Sequence, residues 1–187
     1  TLTCNDSSTV SFGSLTIEDG GTYSATSGTT TLTNEKDYWA LDVVNGGTFT
    51  HNSGTVHVTT NTNTYIRGME GDDIEGAGAN ALNNLIVTLG SSSYYLNLRP
   101  VSGTAHVIKG DVTVAEGSFY KETDAHTLTI EGDVSVESGG TLGHADRTGN
   151  DTFGSLTIAS GGTAIATSGT TTITSKSGSN AFNDAGT

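Results

Sequence analysis

The chain holds one cysteine, one proline, one methionine and one tryptophan in 187 residues. A single cysteine, Cys4, excludes an internal disulfide and a cysteine-based metal site. One proline, with no glycine at every third place, excludes a collagen-like chain. Basic residues are scarce: Lys36, Arg67, Arg99, Lys109, Lys121, Arg147 and Lys176 stand singly against 20 acids, for a formal charge of −13. Binding a polyanion needs clustered cations, so nucleic acid is not an expected partner. No apolar run approaches ~18 residues, so no membrane span is expected in this segment. A charged leader followed by an apolar stretch is also missing, so no signal peptide is read here. Leu, Ile, Val and Phe number only 38, near the border where chains stop folding.

Abundance lies elsewhere, in 34 Thr, 26 Gly and 20 Ser. These are poor helix formers, and no apolar stripe recurs at helical spacing, which excludes a helical bundle. Period two fits instead, as in Leu15/Ile17, Val56/Val58, Val112/Val114, Val134/Val136 and Leu156/Ile158. The spread of negative charge reads as a solubility device on a surface prone to self-association.

Self-comparison is the most informative step. Residues 12–34 (FGSLTIEDGGTYSATSGTTTLTN) match residues 153–175 (FGSLTIASGGTAIATSGTTTITS) at 17 of 23 positions, an offset of 141. Weaker matches flank them: Thr1-Leu2 corresponds to Thr141-Leu142 with one residue of slippage, and Ala40-Leu41 to Ala181-Phe182. The chain therefore reads as one segment, residues 1–187, of a longer repeat array. A shorter interval runs inside. Ser-Gly-Thr begins at Ser27, Ser53, Ser102 and Ser168, and Gly-Gly-Thr at Gly20, Gly46, Gly139 and Gly161. Gly-Asp-Val begins at Gly110 and Gly132. Leu15, Leu41, Ile66, Leu85, Ile108, Leu128, Leu156 and Phe182 give a mean interval of about 24 residues.

Short alternating strands turned by Gly, Asn, Asp and Ser at that interval predict an all-β parallel β-helix, or β-solenoid. About eight coils are expected, with three short strands each, and the recurring phrases are expected to stack on one another. Eight coils at the ~4.8 Å strand spacing make a rod of roughly 38 Å. An antiparallel sandwich is the rival, with Asn45-Gly46 as a hairpin turn. It gives no reason for one phrase to return after 141 residues with its flanks intact.

The phrases GGTFTHNSGTVHV (46–58), HTLTIEGDVSVESGGTL (126–142) and FGSLTIASGGT (153–163) resemble the Gly/Thr/Ser-rich repeats of large secreted β-solenoid proteins. These are the filamentous-haemagglutinin-like and autotransporter-like adhesins, with similar repeats in phage fibre proteins. The resemblance implies a right-handed parallel β-helix, an extracellular, cell-surface or virion location, and a stalk, filament or adhesive role. It carries no catalytic residue onto this sequence.

Candidate sites are few. Glu70, Asp72, Asp73 and Glu75 could give a hard cation such as calcium its oxygen ligands, although their spacing matches no calcium-loop pattern and an acidic solvated loop explains them as well. The five histidines show no metal-ligand spacing, and His57 and His106, which follow Ser-Gly-Thr where Thr31 and Thr172 stand in the other copies, read as outward side chains. Acids such as Asp111, Glu116, Asp133 and Glu137 fall beside corner glycines, where an Asp side chain bonds its own backbone. Glycoside hydrolysis needs two carboxyls facing one cleft, so no enzyme is expected. The threonine runs 29–31 and 170–172 lie too far apart to form a lattice on consecutive coils. Tyr38, Trp39, Tyr94, Tyr95 and Tyr120 are the aromatic candidates for an interface or a surface glycan. The alternation Trp39/Leu41/Val43 points Trp39 to the core, whereas its counterpart Asn180 does not. Taken together, the sequence predicts a non-catalytic, self-associating fibre segment, with a phage tail-fibre stalk or a glycan-binding module as alternatives.

Overall fold

Alternations such as Val56-His-Val58 bury every second side chain, and glycine, asparagine or serine cuts each one off within a few residues. The outcome is strands and, among the described residues, no helix. The structure, a computed structural model, describes residues 1–4, 6–68, 80–99, 105–122, 126–174 and 181–185.

The strands wind round three faces. The first coil places β1 (Leu2–Thr3) on face 1, β2 (Val10–Phe12) on face 2 and β3 (Leu15–Ile17) on face 3. The second consists of β4 (Thr22–Ser24), β5 (Thr29–Leu32) and β6 (Trp39–Val43), and the third of β7 (Thr48–Thr50), β8 (Thr55–Val58) and β9 (Thr64–Arg67). The fourth adds β10 (Asn84–Thr88) and β11 (Tyr95–Arg99), with face 1 marked by a parallel bridge from Leu82 to Ile108. Later strands run through corners. β12 (Ala105–Ile108) leads to β13 (Val112–Lys121), which serves faces 2 and 3. β14 (Thr127–Val136) serves faces 1 and 2 before β15 (Gly140–Leu142), and β16 (Asp151–Ile158) does the same before β17 (Thr163–Ala164). β18 (Thr171–Ile173) and β19 (Phe182–Asp184) open an eighth coil.

Every ladder between these strands is parallel. The architecture is thus a parallel β-solenoid of about seven turns, three strands to a coil, close to the eight expected. Asn45-Gly46 is a corner and not a hairpin: Gly46 takes φ +89° and the chain continues into β7, which stacks on β4.

Inward columns make the core. On face 2, Phe12, Leu32, Val58, Val87, Val114, Val136 and Ile158 lie one above another, at intervals of 20 to 29 residues. Parallel pairing keeps equivalent side chains in contact at every step, so a composition poor in large apolar residues still builds a continuous core.

The recurring phrases do stack, but not in one column. Leu15, Leu41 and Ile66 are neighbours on face 3, whereas Leu85, Leu156 and Phe182 lie on face 2, and Ile108 and Leu128 on face 1. The 141-residue repeat nevertheless keeps its pairings. Phe12 pairs with Leu32 and Leu15 with Leu41; in the second copy Phe153 pairs with Ile173 and Leu156 with Phe182. The second copy simply sits one face over. A strand–corner–strand phrase fits any face, because the three faces demand the same alternation.

The Gly-Asp-Val corners also differ from expectation. The Asp111 carboxylate does not turn back on its own backbone; it accepts the Asp133 N–H of the next coil at 2.8 Å. Asn84 does the same for the Asp111 N–H at 2.8 Å, and the Ser155 hydroxyl donates to Asp133 at 2.8 Å. One polar ladder thus climbs four coils at the corner between faces 1 and 2. Glycine is required beside it, since a Cβ on Gly132 would collide with the Asp111 carboxylate and the Gly110 backbone.

Candidate functional site

All three arginines of this acidic chain stand on face 3, against one stripe of aromatic rings. Trp39, Tyr65, Tyr95, Tyr120 and His144 follow each other along the rod with ring centroids 5.5, 5.8, 5.4 and 4.9 Å apart. The Arg67 guanidinium lies 4.6 Å from the Trp39 ring centre, Arg99 4.3 Å from that of Tyr65, and Arg147 5.4 Å from that of Tyr120. Arg67 is held by the Asp42 carboxylate through two hydrogen bonds, at 2.6 and 2.8 Å, and Arg99 pairs with Glu122.

Local structure explains the stripe. Tyr65 and Arg67 alternate with buried Thr64 and Ile66, which turns the ring and the guanidinium outward. Trp39 departs from the alternation that pointed it inward. β6 shifts register between Trp39 and Leu41, so Trp39 pairs with Tyr65 and faces out while Leu41 stays in the core over Ile66. The chain enters this bulge through Asp37 and Tyr38, both at positive φ. Tyr95 joins the stripe and shares a 2.9 Å hydrogen bond with Tyr65. That bond, with burial, pushes the Tyr95 phenol up to about 12. Tyr94 is not part of it and packs against the core. Sequence reasoning missed Tyr65 and the arginines because the partners lie 25 to 30 residues apart and form no motif.

The stripe's chemistry is that of a brace. Guanidinium groups already cover ring faces, and the Asp42–Arg67 and Arg99–Glu122 pairs neutralise each other, so what the stripe does best is tie coils 2 to 6 together on their outer side. Replacing Trp39 with alanine is expected to lower stability by about 2 kcal/mol, through its contact with the Tyr65 ring, the cation–π contacts of Arg67 and Arg99 and part of the ring's burial. Chemical denaturation followed by circular dichroism would measure it. An unchanged midpoint would mean the ring carries no load.

A second polar group lies inside the rod. Lys121 falls in the inward column below which Leu98, Ile66, Leu41 and Leu15 lie, and its side chain is 2% exposed. Its ammonium meets the Asp151 carboxylate at 2.5 Å and donates to the carbonyls of Gly149 and Asn150 at 2.9 and 3.3 Å. Burial pushes the Asp151 carboxyl above the usual range, with Lys121 pulling it back.

His106 is buried beside this pair, contrary to the outward placement expected from its likeness to His57. It occupies the inward column of face 1 with Leu128 and Asp151, 5.6 Å from the His126 ring. Among the described residues, neither of its ring nitrogens has a hydrogen-bond partner. Burial, with the charges of His126 and Lys121, holds its pKa down to about 3. His57 does face outward, within 3.1 Å of the Thr88 hydroxyl.

The calcium candidates Glu70, Asp72, Asp73 and Glu75 lie outside the described residues. Among the described residues, no three His, Cys, Asp or Glu side chains converge as a metal ion would require. The threonine runs fall on different faces, Thr29–Thr31 on face 2 and Thr171–Thr172 on face 1.

The ends of the rod are the remaining candidate. At one end a cavity of about 250 Å³ opens between Leu142, Phe153, Ile158, Ile173 and Phe182, and at the other a groove of about 290 Å³ runs past Leu2, Leu15, Ile17 and Tyr23. Leu2 and Phe182, one at each end, are half exposed. No family model, curated protein or solved structure matches this chain.

Proposed function

We propose that the chain is a segment of an extracellular structural fibre, a stalk or adhesin shaft, that self-associates end to end and performs no catalysis. The observation that carries this reading is the coil-to-coil ladder itself. The same parallel pairing and the same inward columns run from the first coil to the eighth, and among the described residues β1–β3 and β17–β19 each keep one strand edge without a partner strand, with Leu2 and Phe182 half exposed beside them. Growth by adding coils needs no new core, because each coil meets its neighbour as the previous one did. Open edges favour pairing with another chain of the same pattern. The high negative charge opposes lateral clumping and leaves the ends as the place to join.

A non-catalytic role is supported by how six of the fifteen described carboxylates are used. Asp42, Glu122, Glu131 and Asp151 each pair with a base, and Asp111 and Asp133 are engaged in the corner ladder. A virion tail-fibre stalk is the same mechanical role in another setting. Glycan binding is the second reading, favoured by the outward stripe of Trp39, Tyr65 and Tyr95. The covered ring faces make the brace the better account of it.

Sedimentation and light scattering of the 187-residue chain test the main reading. Particles should lengthen with concentration while keeping one width. A monomer persisting at high concentration would overturn it.

A further inference from the structure

We infer that two copies of this chain join head to tail with the incoming copy turned by one face, so that its β1, β2 and β3 settle on β17, β18 and β19. The inference rests on the end-to-end reading above and specifies the joint.

The template is the internal repeat. In the order of the chain, β1, β2 and β3 occupy faces 1, 2 and 3. Their counterparts in the second copy occupy other faces. Leu2 corresponds to Leu142 on face 3, Phe12 to Phe153 on face 1 and Leu15 to Leu156 on face 2. Those counterparts are seated on strands below them: Leu142 on Phe119, Phe153 on Ile130 and Leu156 on Val134. The outer edges of β1, β2 and β3, which no strand among the described residues pairs, are therefore edges that the same sequence keeps covered elsewhere in the rod.

The other end matches in the same way. Among the described residues, β17, β18 and β19 each keep one edge without a partner strand, on faces 3, 1 and 2, the order in which the counterparts of β1, β2 and β3 sit. Their own first-copy equivalents are covered: Tyr23 by Phe49, Leu32 by Val58 and Leu41 by Ile66. A copy turned by one face places Leu2 over Ala164, Phe12 over Ile173 and Leu15 over Phe182, which is apolar on apolar at each contact. It also seats β1 on β17, the open edge one coil below β18 and β19. An unturned copy sets β1 over β18 and leaves the β17 edge bare.

Engineered disulfides distinguish the two joints. Adjacent parallel strands bring paired Cα atoms within disulfide reach, about 4.4–6.8 Å. In a Cys4→Ser background, the Ser11→Cys/Thr172→Cys chain is the probe for the turned joint, because Phe12 over Ile173 puts residue 11 beside residue 172. The Ser11→Cys/Asn183→Cys chain is the probe for the unturned joint, where Val10 over Phe182 puts residue 11 beside residue 183. All three positions are exposed and outward, at opposite ends of one rod, so a bond within a single chain is excluded. Mild oxidation of the first chain should convert its monomer band on a non-reducing gel into a ladder of linked multimers, while the second stays at the level of the single-cysteine controls. The reverse pattern would overturn the turned joint and leave end-to-end growth standing. Multimers in sedimentation with neither chain linking would also overturn the turned joint. Monomers in sedimentation with neither chain linking would overturn both.

Discussion

Lys121→Met is expected to destabilise the chain by about 3–5 kcal/mol, the cost of leaving one member of a buried ion pair without its counter-charge. The ammonium is enclosed, 2.5 Å from Asp151, and the carboxylate it serves is itself 9% exposed. The change removes no large apolar volume, so cavity formation would not explain such a loss. The double variant Lys121→Met/Asp151→Leu separates the two causes. Its side chains would sit beside Leu98 and Leu128 in the inward columns, and its stability should return to within about 1 kcal/mol of the parent, as apolar replacements of buried pairs commonly do. Denaturant titrations of the three chains are the measurement. A single variant as stable as the parent would show that the pair is solvated; a double variant as weak as the single would show that the packing, and not the charge, was lost.

The second large effect is loss of stability in acid. His106 titrates at about 3 in the folded chain and near 6.5 when unfolded, so between those values the unfolded state binds more protons. Stability is therefore fully present above about pH 6.5 and falls as the pH drops toward 3. At 1.36 kcal/mol per pH unit, the decline reaches about 3 kcal/mol by pH 4. Asp151 works in the opposite direction, because its carboxyl is raised in the fold. Comparing the parent with His106→Leu cancels that contribution, since both chains keep Asp151. The variant, with leucine in the place of His106 in the Leu128 column, should lose about 3 kcal/mol of this dependence. Parallel pH profiles for the two chains would remove His106 from the account.

Much of the fold was legible because a solenoid writes its period into the chain. The Gly-Gly-Thr and Gly-Asp-Val phrases fall at corners, and the alternating pairs Val112/Val114 and Val134/Val136 are stacked neighbours on face 2. What escaped was phase. Leu15 and Leu156 carry the same phrase on different faces, and nothing local distinguishes faces that ask for the same alternation. Trp39 escaped because the bulge before Leu41 reverses its side, and a register shift shows only against a partner strand. The buried Lys121 escaped because a lone base in an acidic chain reads as surface, while its partner Asp151 is a coil away along the rod. His106 was misplaced by analogy with His57: the two follow the same tripeptide, yet one heads an inward column and the other an outward one.

The displacement of the second copy has a consequence for any array of such repeats. One repeat advances the phrase by six coils less one face, roughly 27 Å at the strand spacing. Whatever a given residue carries, a sugar, a charge or a docked partner, would then point in three directions in turn before repeating. Surface groups would be set out like the leaves of a stem on a threefold screw, accessible from all sides of the shaft although each repeat offers them from only one.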